Sequence, residues 1–122
     1  MATNYQMGAN FERRVAKDLE RFGYVTVRSA GSHKPADVVA MMGGQTFVIQ
    51  CKRDGVLRPE EWNKFLEWSK VAGATPILAS KGPRGSGIIY HRLVNRKVGR
   101  GRQPLAFWTP QTQKEGSNDE VS

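Results

Sequence analysis

Three polar residues, Asp37, Gln50 and Lys52, stand near the ends of two β-rich segments whose other residues are mostly apolar. Gly43-Gly44 separates the segments and supplies the positive φ values that a two-residue hairpin turn requires. Such a turn pairs Asp37 with Gln50 and places Lys52 on the same face, two residues further along. We expect the Cβ atoms of Asp37 and Gln50 to lie about 5 Å apart. Three polar side chains would then cluster at one end of an apolar hairpin.

This cluster could support metal-assisted chemistry on a phosphoryl group. A hard cation such as Mg²⁺ takes carboxylate and amide oxygens as ligands and keeps several waters, which Asp37 and Gln50 would allow. Lys52 would stabilise the negative charge that develops on a phosphoryl group under attack. On the pattern alone, however, Asp37 is more often an acid that ends strand pairing, and Lys52 with Arg53 is more often a solvated strand end.

Hydrophobic periodicity predicts the elements that must position these residues. Apolar residues recur at helical spacing from Tyr5 to Phe22, and Gly23 then ends the helix. Pro59 suits the first turn of a second helix that reaches about Val71. Strands are predicted over residues 24–29, 36–42, 45–52, 75–80 and 88–93, and the last of these is expected to be the final strand.

The first helix carries a basic face opposite its apolar face. At about 100° per residue, two acids fall at the rims of the apolar arc, Glu12 on one side and Asp18 on the other. Either acid could face the hairpin cluster, because helix geometry alone does not choose between them. The basic face holds Arg13, Arg14, Lys17 and Arg21.

The charge balance indicates a polyanionic partner. The 122 residues include 19 Lys and Arg against 11 Asp and Glu, a net charge of +8. Residues 1–94 contain 14 basic and 8 acidic residues, whereas residues 95–122 contain 5 and 3, so the predicted folded body is itself basic. Basic charge on a small domain is typical of a nucleic-acid-binding protein. Net charge does not separate an enzyme from a passive binder.

Composition excludes several classes of protein. A content of 39% hydrophobic residues is ordinary for one globular domain and excludes disorder of the whole chain. No apolar stretch approaches the roughly 18 residues of a membrane helix, and residues 1–10 lack the apolar run of a signal peptide, so we expect a cytoplasmic protein with no membrane partner. A single cysteine, Cys51, excludes an internal disulfide and a thiolate zinc site. Its strand parity predicts a buried, unreactive side chain.

Two further segments lie outside the predicted helices and strands. Residues 81–87 contain three glycines without the spacing of a phosphate-binding loop, which favours a connection in which Lys81 and Arg84 could contact DNA phosphates. From Asn95 the composition shifts to Arg, Gly, Pro, Gln and Ser around one apolar island. We therefore expect a domain at 1–94, a basic and partly packed extension at 95–110, and a disordered tail at 111–122.

Four short stretches carry a resemblance to a known family. They are Gly8–Glu12, Val27–Lys34 (Val-Arg-Ser-Ala-Gly-Ser-His-Lys), Asp37–Ala40 and Val48–Lys52 (Val-Ile-Gln-Cys-Lys). Together they resemble the archaeal-type Holliday junction resolvases, a group within the PD-(D/E)XK, or restriction endonuclease-like, superfamily. The resemblance runs from about residue 8 to residue 93. It implies a single α/β domain with a mixed central β-sheet flanked by helices.

The resemblance also implies roles for particular residues. Glu12 matches the first-helix acid, Asp37 matches the metal-binding aspartate, and Gln50 and Lys52 stand at the acid and lysine of the E-x-K element. Ser32 matches a loop serine near the active site, and the backbone carbonyl of Cys51 is implied as a further metal ligand. Arg13 and Arg28 match basic residues that the family uses on DNA. Further DNA-binding candidates are His33, Lys34 and Arg53, although His33 and Ser32 could also be loop capping groups.

Gln50 departs from the family pattern, in which this position is an acid. Glutamine keeps an oxygen ligand but loses a charge, so the site would hold two carboxylates, those of Glu12 and Asp37, where three are usual. We therefore expect weaker metal affinity than the usual pattern would confer.

The function implied by the resemblance is a Mg²⁺-dependent endodeoxyribonuclease, with Mn²⁺ as a substitute, that resolves four-way DNA junctions by paired symmetric nicks in recombination and repair. Its setting would be the cytoplasm of a prokaryotic or phage-infected host cell. A homodimer through helix 59–71, including Trp68, is also implied and would cover the wide apolar arc of that helix. The alternatives are another nuclease of the same fold, a DNA-binding protein silenced by Gln50, and a basic protein that coats DNA.

Overall fold

Two helices and six strands make up the described part of the chain. The structure, a computed structural model, describes residues 3–29, 34–97 and 105–111. The strands form one sheet whose spatial order follows the chain, and all neighbours are antiparallel except β3 and β4. The elements are α1 Asn4–Arg21, β1 Val25–Arg28, β2 Val38–Met42, β3 Gln45–Cys51, α2 Pro59–Ala72, β4 Thr75–Lys81, β5 Ile88–Leu93 and β6 Leu105–Trp108.

The β2–β3 hairpin has the register that its turn predicts. Gly43 and Gly44 adopt φ values of 61° and 80°, as a two-residue turn with two positive φ angles requires. Val38 pairs with Ile49, and the same register continues through the rest of the hairpin. The predicted pairing is confirmed from Val38 to Met42. The expected Asp37–Gln50 pair is not part of this register, because the Asp37 N–H donates to the carbonyl of Ile49, the partner of Val38.

The two helices cover opposite faces of the sheet. Thr3 caps α1 by accepting the backbone N–H of Gln6 at 3.1 Å, and the Gln6 side chain accepts the Thr3 N–H in return. The α1-side core contains Phe11, Val15, Leu19, Val38, Ala40, Phe47, Ile49, Ile77 and Tyr90. The α2-side core contains Val48, Leu57, Trp62, Phe65, Leu66, Leu78 and Leu93. The predicted mixed sheet flanked by helices is confirmed.

The prediction that residues 88–93 form the final strand is wrong, because β6 follows and pairs with β5. The ring of Trp108 lies 5.1 Å from that of Phe47, 5.6 Å from that of Tyr90 and 6.1 Å from that of Tyr24, measured between centroids. These contacts are all tertiary, so a four-residue apolar run did not reveal them in advance. The predicted tail beyond Gln111 lies outside the described residues. Within the described ranges, no helix is long and apolar enough to cross a membrane.

Candidate active site

Asp37 lies at one end of the sheet, where β1 and β3 end and β2 begins. Its backbone N–H donates to the carbonyl of Ile49 at 2.8 Å, and its own carbonyl accepts the N–H of Ser29 at 3.0 Å. Its carboxylate accepts the backbone N–H of Cys51 at 2.8 Å through Oδ2. Three bonds to neighbouring strands therefore hold this carboxylate at the C-terminal end of β3.

The environment of Asp37 raises the pKa of its carboxyl group from 3.8 to about 6. Burial is the main cause and is opposed by the Cys51 hydrogen bond; the charge of Glu12 raises the pKa further and the charge of Lys52 lowers it. These electrostatic interactions place Glu12, Asp37 and Lys52 in one neighbourhood. Two carboxylates that repel each other in a partly buried site would be stabilised by a shared divalent cation, so the residues present fit such an ion.

Of the two acids at the rims of α1, only Glu12 faces this cluster. Asp18 instead accepts the hydroxyl proton of Tyr90 at 2.7 Å and forms an ion pair with Arg21 at 3.2 Å. Burial and the Asp18 contact raise the pKa of the Tyr90 hydroxyl. The packing of α1 against the sheet therefore makes the choice that helix geometry left open.

Glu12 is balanced by Arg28 at the end of β1. The guanidinium Nη2 lies 3.4 Å from Oε1 of Glu12, and both side chains are about three-quarters buried. The Nε of Arg28 is buried and has no hydrogen-bond partner among the described residues. Arg28 thus links a candidate metal-binding acid to a cation at the end of β1.

Lys52 is held by a residue that sequence reasoning did not single out. Its Nζ lies 3.0 Å from Oε2 of Glu61, in the first turn of α2, and both side chains are about one-third exposed. Glu61 also accepts the N–H of Arg58 at 3.1 Å, as an acid at the third helical position often does. Burial raises the pKa of the Glu61 carboxyl, but the Lys52 hydrogen bond, the Arg58 N–H and the two cations outweigh it and lower the pKa overall.

A capping signal at Glu61 was visible in the sequence, since an acid two residues after Pro59 suits a helix start. Its contact with Lys52 depends on how α2 folds back over β3, and no local pattern reports that. The lysine that would act on the phosphoryl group is therefore oriented by the second helix.

Gln50 is half-buried on β3 and directly precedes Cys51, whose N–H donates to the Asp37 carboxylate. No hydrogen bond joins its amide to any described residue, and no group of three or more His, Cys, Asp or Glu in the described ranges is arranged to hold a metal. The expectation of two carboxylates in place of three stays a prediction.

The remaining predicted site residues are scattered around this centre. Arg13 is exposed on α1 and donates to Oδ1 of Asn10 at 2.7 Å, while Lys34 and Arg53 are exposed in loops. Ser32 and His33 lie outside the described residues. The site roles of all these residues stay predictions.

Cys51 packs against the α1-side core. Burial, followed by the charges of Asp37 and Glu12, raises the pKa of its thiol well above the usual value. This is the environment of an unreactive thiol.

Comparison with known protein sequences assigns the chain to a family. A sequence profile described as "Archaeal holliday junction resolvase (hjc)" matches residues 3–100. The chain belongs to the archaeal Holliday junction resolvase family. The predicted family is thereby confirmed.

Two relatives extend the comparison. The chain is 33% identical over 85 residues to the crossover junction endodeoxyribonuclease Hjc of Methanocaldococcus jannaschii, a match that covers 66% of this chain and 63% of that protein. The chain also resembles the solved structure of Archaeoglobus fulgidus Hjc, a Holliday junction resolvase from an archaeal hyperthermophile. The two superpose with a TM-score of 0.59 at 27% sequence identity, and the match covers 69% of this chain and 70% of that chain. The restriction endonuclease-like α/β fold is consistent with this likeness. The chain thus spans less than two thirds of the curated relative.

Proposed function

We propose that this family member is a metal-dependent endodeoxyribonuclease that resolves four-way DNA junctions by paired symmetric nicks in recombination and repair. The observation that carries the proposal is that the Asp37 carboxylate, held at the C-terminal end of β3 by the Cys51 N–H at 2.8 Å, interacts electrostatically with both Glu12 and Lys52. Family membership supports the substrate class, and the basic body, with 14 basic and 8 acidic residues in 1–94, supports a polyanionic substrate. We place this activity in the cytoplasm of a prokaryotic or phage-infected host cell.

The metal site of this proposal consists of the carboxylates of Glu12 and Asp37, the amide oxygen of Gln50 and the backbone carbonyl of Cys51. The cation would be Mg²⁺, with Mn²⁺ as a substitute. When bound, such an ion supplies a water of lowered pKa and polarises a phosphoryl oxygen.

The remaining chemistry belongs to side chains of this chain. Lys52, held by Glu61 at 3.0 Å, places a positive charge beside the phosphoryl group, where negative charge develops during attack. Arg28 orients Glu12 and places its charge near the phosphate. Ser32, which follows β1 in the chain, would position the scissile phosphate.

DNA contacts in this proposal are made to the backbone and not to bases. The contributing residues are Arg13, Arg28, His33, Lys34 and Arg53. Arginine and lysine on phosphates position a duplex without reading its sequence, so selectivity would come from the shape of the junction.

A homodimer is part of the proposal, because two symmetric nicks require two sites related by a two-fold axis. Helix α2 leaves Val71 85% exposed and Trp68 only partly buried. Strand β1 exposes 64% of Val25 and 54% of Val27. Val27 pairs with Val39, which packs on the α2 side, so these valines lie on the face of the sheet that α2 covers. An apolar surface of this kind on a small basic protein is suited to a second copy.

A second candidate function is a junction- or duplex-DNA-binding protein with a weakened or inactive nuclease site. The observation that favours it is Gln50, whose amide leaves only two carboxylates at the centre. It predicts the same DNA affinity without cleavage.

A nicking assay on a labelled four-way junction in Mg²⁺ separates these functions. Wild type should cut the junction, and Asp37→Asn should lose at least about a hundredfold in rate while still binding. Asp54→Asn is the matched control, since Asp54 is exposed and its Oδ1 accepts the Val56 N–H as an asparagine oxygen would. Binding without nicking by wild type would favour the inactive alternative. Parallel flap and linear duplex substrates test junction selectivity, and equal binding to all three without cleavage would indicate a DNA-coating protein.

A further inference from the structure

A basic hollow lies between α1 and the turn that joins β4 to β5. It has a volume of about 470 Å³ and is lined by Arg14 of α1, Lys81 at the end of β4 and Arg84 in the turn before β5. Its remaining lining comes from Pro83 and three glycines of the same turn, Gly82, Gly85 and Gly87. We call it the β4–β5 pocket. Cations from three separate elements converge there around exposed backbone.

The charges of the β4–β5 pocket are not neutralised within the described residues. None of the three cations forms a salt bridge with a described acid, and no acidic residue lines the hollow. By contrast, Arg28 and Lys52 at the active site are each paired with a carboxylate. Like charges that converge without a counter-charge repel one another, and a bound anion removes that repulsion.

The pocket lies on the same edge of the sheet as the active site. β3 and β4 are parallel, so their C-terminal ends meet: the Lys52 N–H donates to the carbonyl of Ala79 at 2.9 Å, and the Lys81 N–H donates to that of Arg53 at 3.1 Å. On α1, Arg14 stands two residues after Glu12 and about 200° around the helix, so the two side chains leave different faces of α1. The same strands and helix therefore build both sites.

The separation suits one DNA strand. Neighbouring strands lie about 4.8 Å apart, and the β4–β5 turn lies one to two strand spacings from β3, which is roughly 5 to 10 Å. A DNA strand advances about 3.4 Å along the helix axis per nucleotide while its phosphates also wind around that axis, so this span reaches about one or two phosphates from the scissile one. A backbone whose scissile phosphate lies at Asp37 can place a nearby phosphate in the β4–β5 pocket.

We propose that the β4–β5 pocket is a phosphodiester subsite, in which Arg14, Lys81 and Arg84 bind the backbone of the DNA strand that the active site cuts. This inference rests on the proposed function, because it takes DNA as the ligand. All the charged side chains that line the pocket are cations, which attract backbone phosphates whatever the base sequence. It therefore contributes affinity and register and leaves the chemical step to the residues around Asp37.

The test compares two variants that lose the same charge. Lys81→Gln/Arg84→Gln removes two pocket cations. Arg92→Gln/Arg96→Gln removes two arginines, both exposed, near the opposite end of the sheet; Arg92 pairs with Ile77 near the start of β4, and Arg96 follows the end of β5. Anisotropy of a fluorescein-labelled four-way junction is measured over a range of salt, in the Asp37→Asn background so that the DNA stays intact.

The pocket variant should bind the junction at least about tenfold more weakly than the control. The slope of log K against log salt should fall by about 0.7 to 0.9 for each phosphate that the variant no longer neutralises. With Asp37 restored, the pocket variant should need at least about tenfold more junction than the control to reach half of its maximal cleavage rate. Melting curves of both variants establish that each is folded.

Other outcomes overturn the subsite or the function separately. Equal affinity and slope in the two variants would show that only overall charge matters and would refute the subsite. Wild type that binds no junction at all would refute the proposed function instead. Calorimetry also measures the binding of inorganic phosphate to the wild type and to the pocket variant. If the pocket variant loses phosphate binding but keeps its affinity for the junction, the pocket binds a free anion, and the assignment to DNA is refuted.

Discussion

Asp37→Asn should stabilise the protein at neutral and alkaline pH in the absence of divalent metal. The folded state raises the pKa of the Asp37 carboxyl from 3.8 to about 6, chiefly by burial, with a further contribution from the charge of Glu12. Above about pH 6 the folded protein therefore carries a carboxylate that is better solvated in the unfolded chain. Asparagine keeps an oxygen for the Cys51 N–H and removes the charge.

The magnitude follows from the size of the pKa shift. A change of about 2 pKa units at about 1.4 kcal/mol each sets an upper figure of roughly 3 kcal/mol. Burying the asparagine amide offsets part of this, so we expect a gain of about 1 to 3 kcal/mol. For a folded body of this size, each kcal/mol raises Tm by about 4 °C.

The stabilisation expected for Asp37→Asn depends on pH. The wild-type penalty is complete above about pH 6, shrinks as pH falls through 6, and is absent below about 3.8, where Asp37 is protonated in both states. The advantage of Asp37→Asn in EDTA should therefore be largest near pH 8 and small near pH 4.

Thermal melts of both proteins in EDTA, across this pH range, measure the difference. Asp54→Asn is the control and should show little change, because Asp54 is exposed. Equal Tm values near pH 8, or a difference that grows as pH falls, would refute the assignment of Asp37 as a desolvated acid. Mg²⁺ should then raise the Tm of wild type and leave that of Asp37→Asn nearly unchanged.

Three further predictions address other parts of the molecule. Glu61→Gln should slow junction cleavage at saturating DNA by about tenfold, because Lys52 loses its ion-pair partner, while changing stability by less than about 1 kcal/mol; single-turnover rates measure this. Gln50→Glu should lower the Mg²⁺ concentration that gives half-maximal cleavage, since it adds a charged ligand. Trp108→Ala should cost about 2 to 4 kcal/mol in urea unfolding, because it removes the ring that packs β6 against three aromatic neighbours.

Each of these predictions has a matched control. Glu60→Gln, an exposed acid in the same helical turn, should leave cleavage unchanged, and equal rates for the Glu60 and Glu61 variants would contradict the positioning role of Glu61. For Gln50→Glu, a metal requirement that stays the same would remove Gln50 from the metal site. Phe107→Ala is the control for β6, since its side chain is 84% exposed; a comparable destabilisation there would show that β6 does not depend on the packing of Trp108.

The parts of the site that depend on neighbouring residues in the chain were predictable. A Gly43-Gly44 turn has few allowed conformations, so the hairpin register from Val38 to Met42 followed from the sequence and is confirmed. The helices and five of the strands followed from periodicities of 3.6 and 2 residues for the same reason. The family resemblance went further and pointed to Glu12.

Contacts between distant segments were not predictable in this way. Glu12 and Asp18 stand at equivalent rims of α1, and only the packing of that helix decides which one faces Asp37. The local sequence indicates only a capping role for Glu61. Its 3.0 Å contact with Lys52 forms because α2 folds back over β3.

The sequence by itself determined the basic charge, the hairpin register, the α/β element order and the family. Local backbone sterics and the period of apolar residues set these properties, and both act over a few residues. Only the tertiary structure decided which acid joins Asp37, which residue holds Lys52, that residues 105–108 complete the sheet, and that Arg14 meets Lys81 and Arg84 in one pocket. Those outcomes depend on how helices and strands pack across tens of residues, where burial and long-range charge interactions decide the geometry.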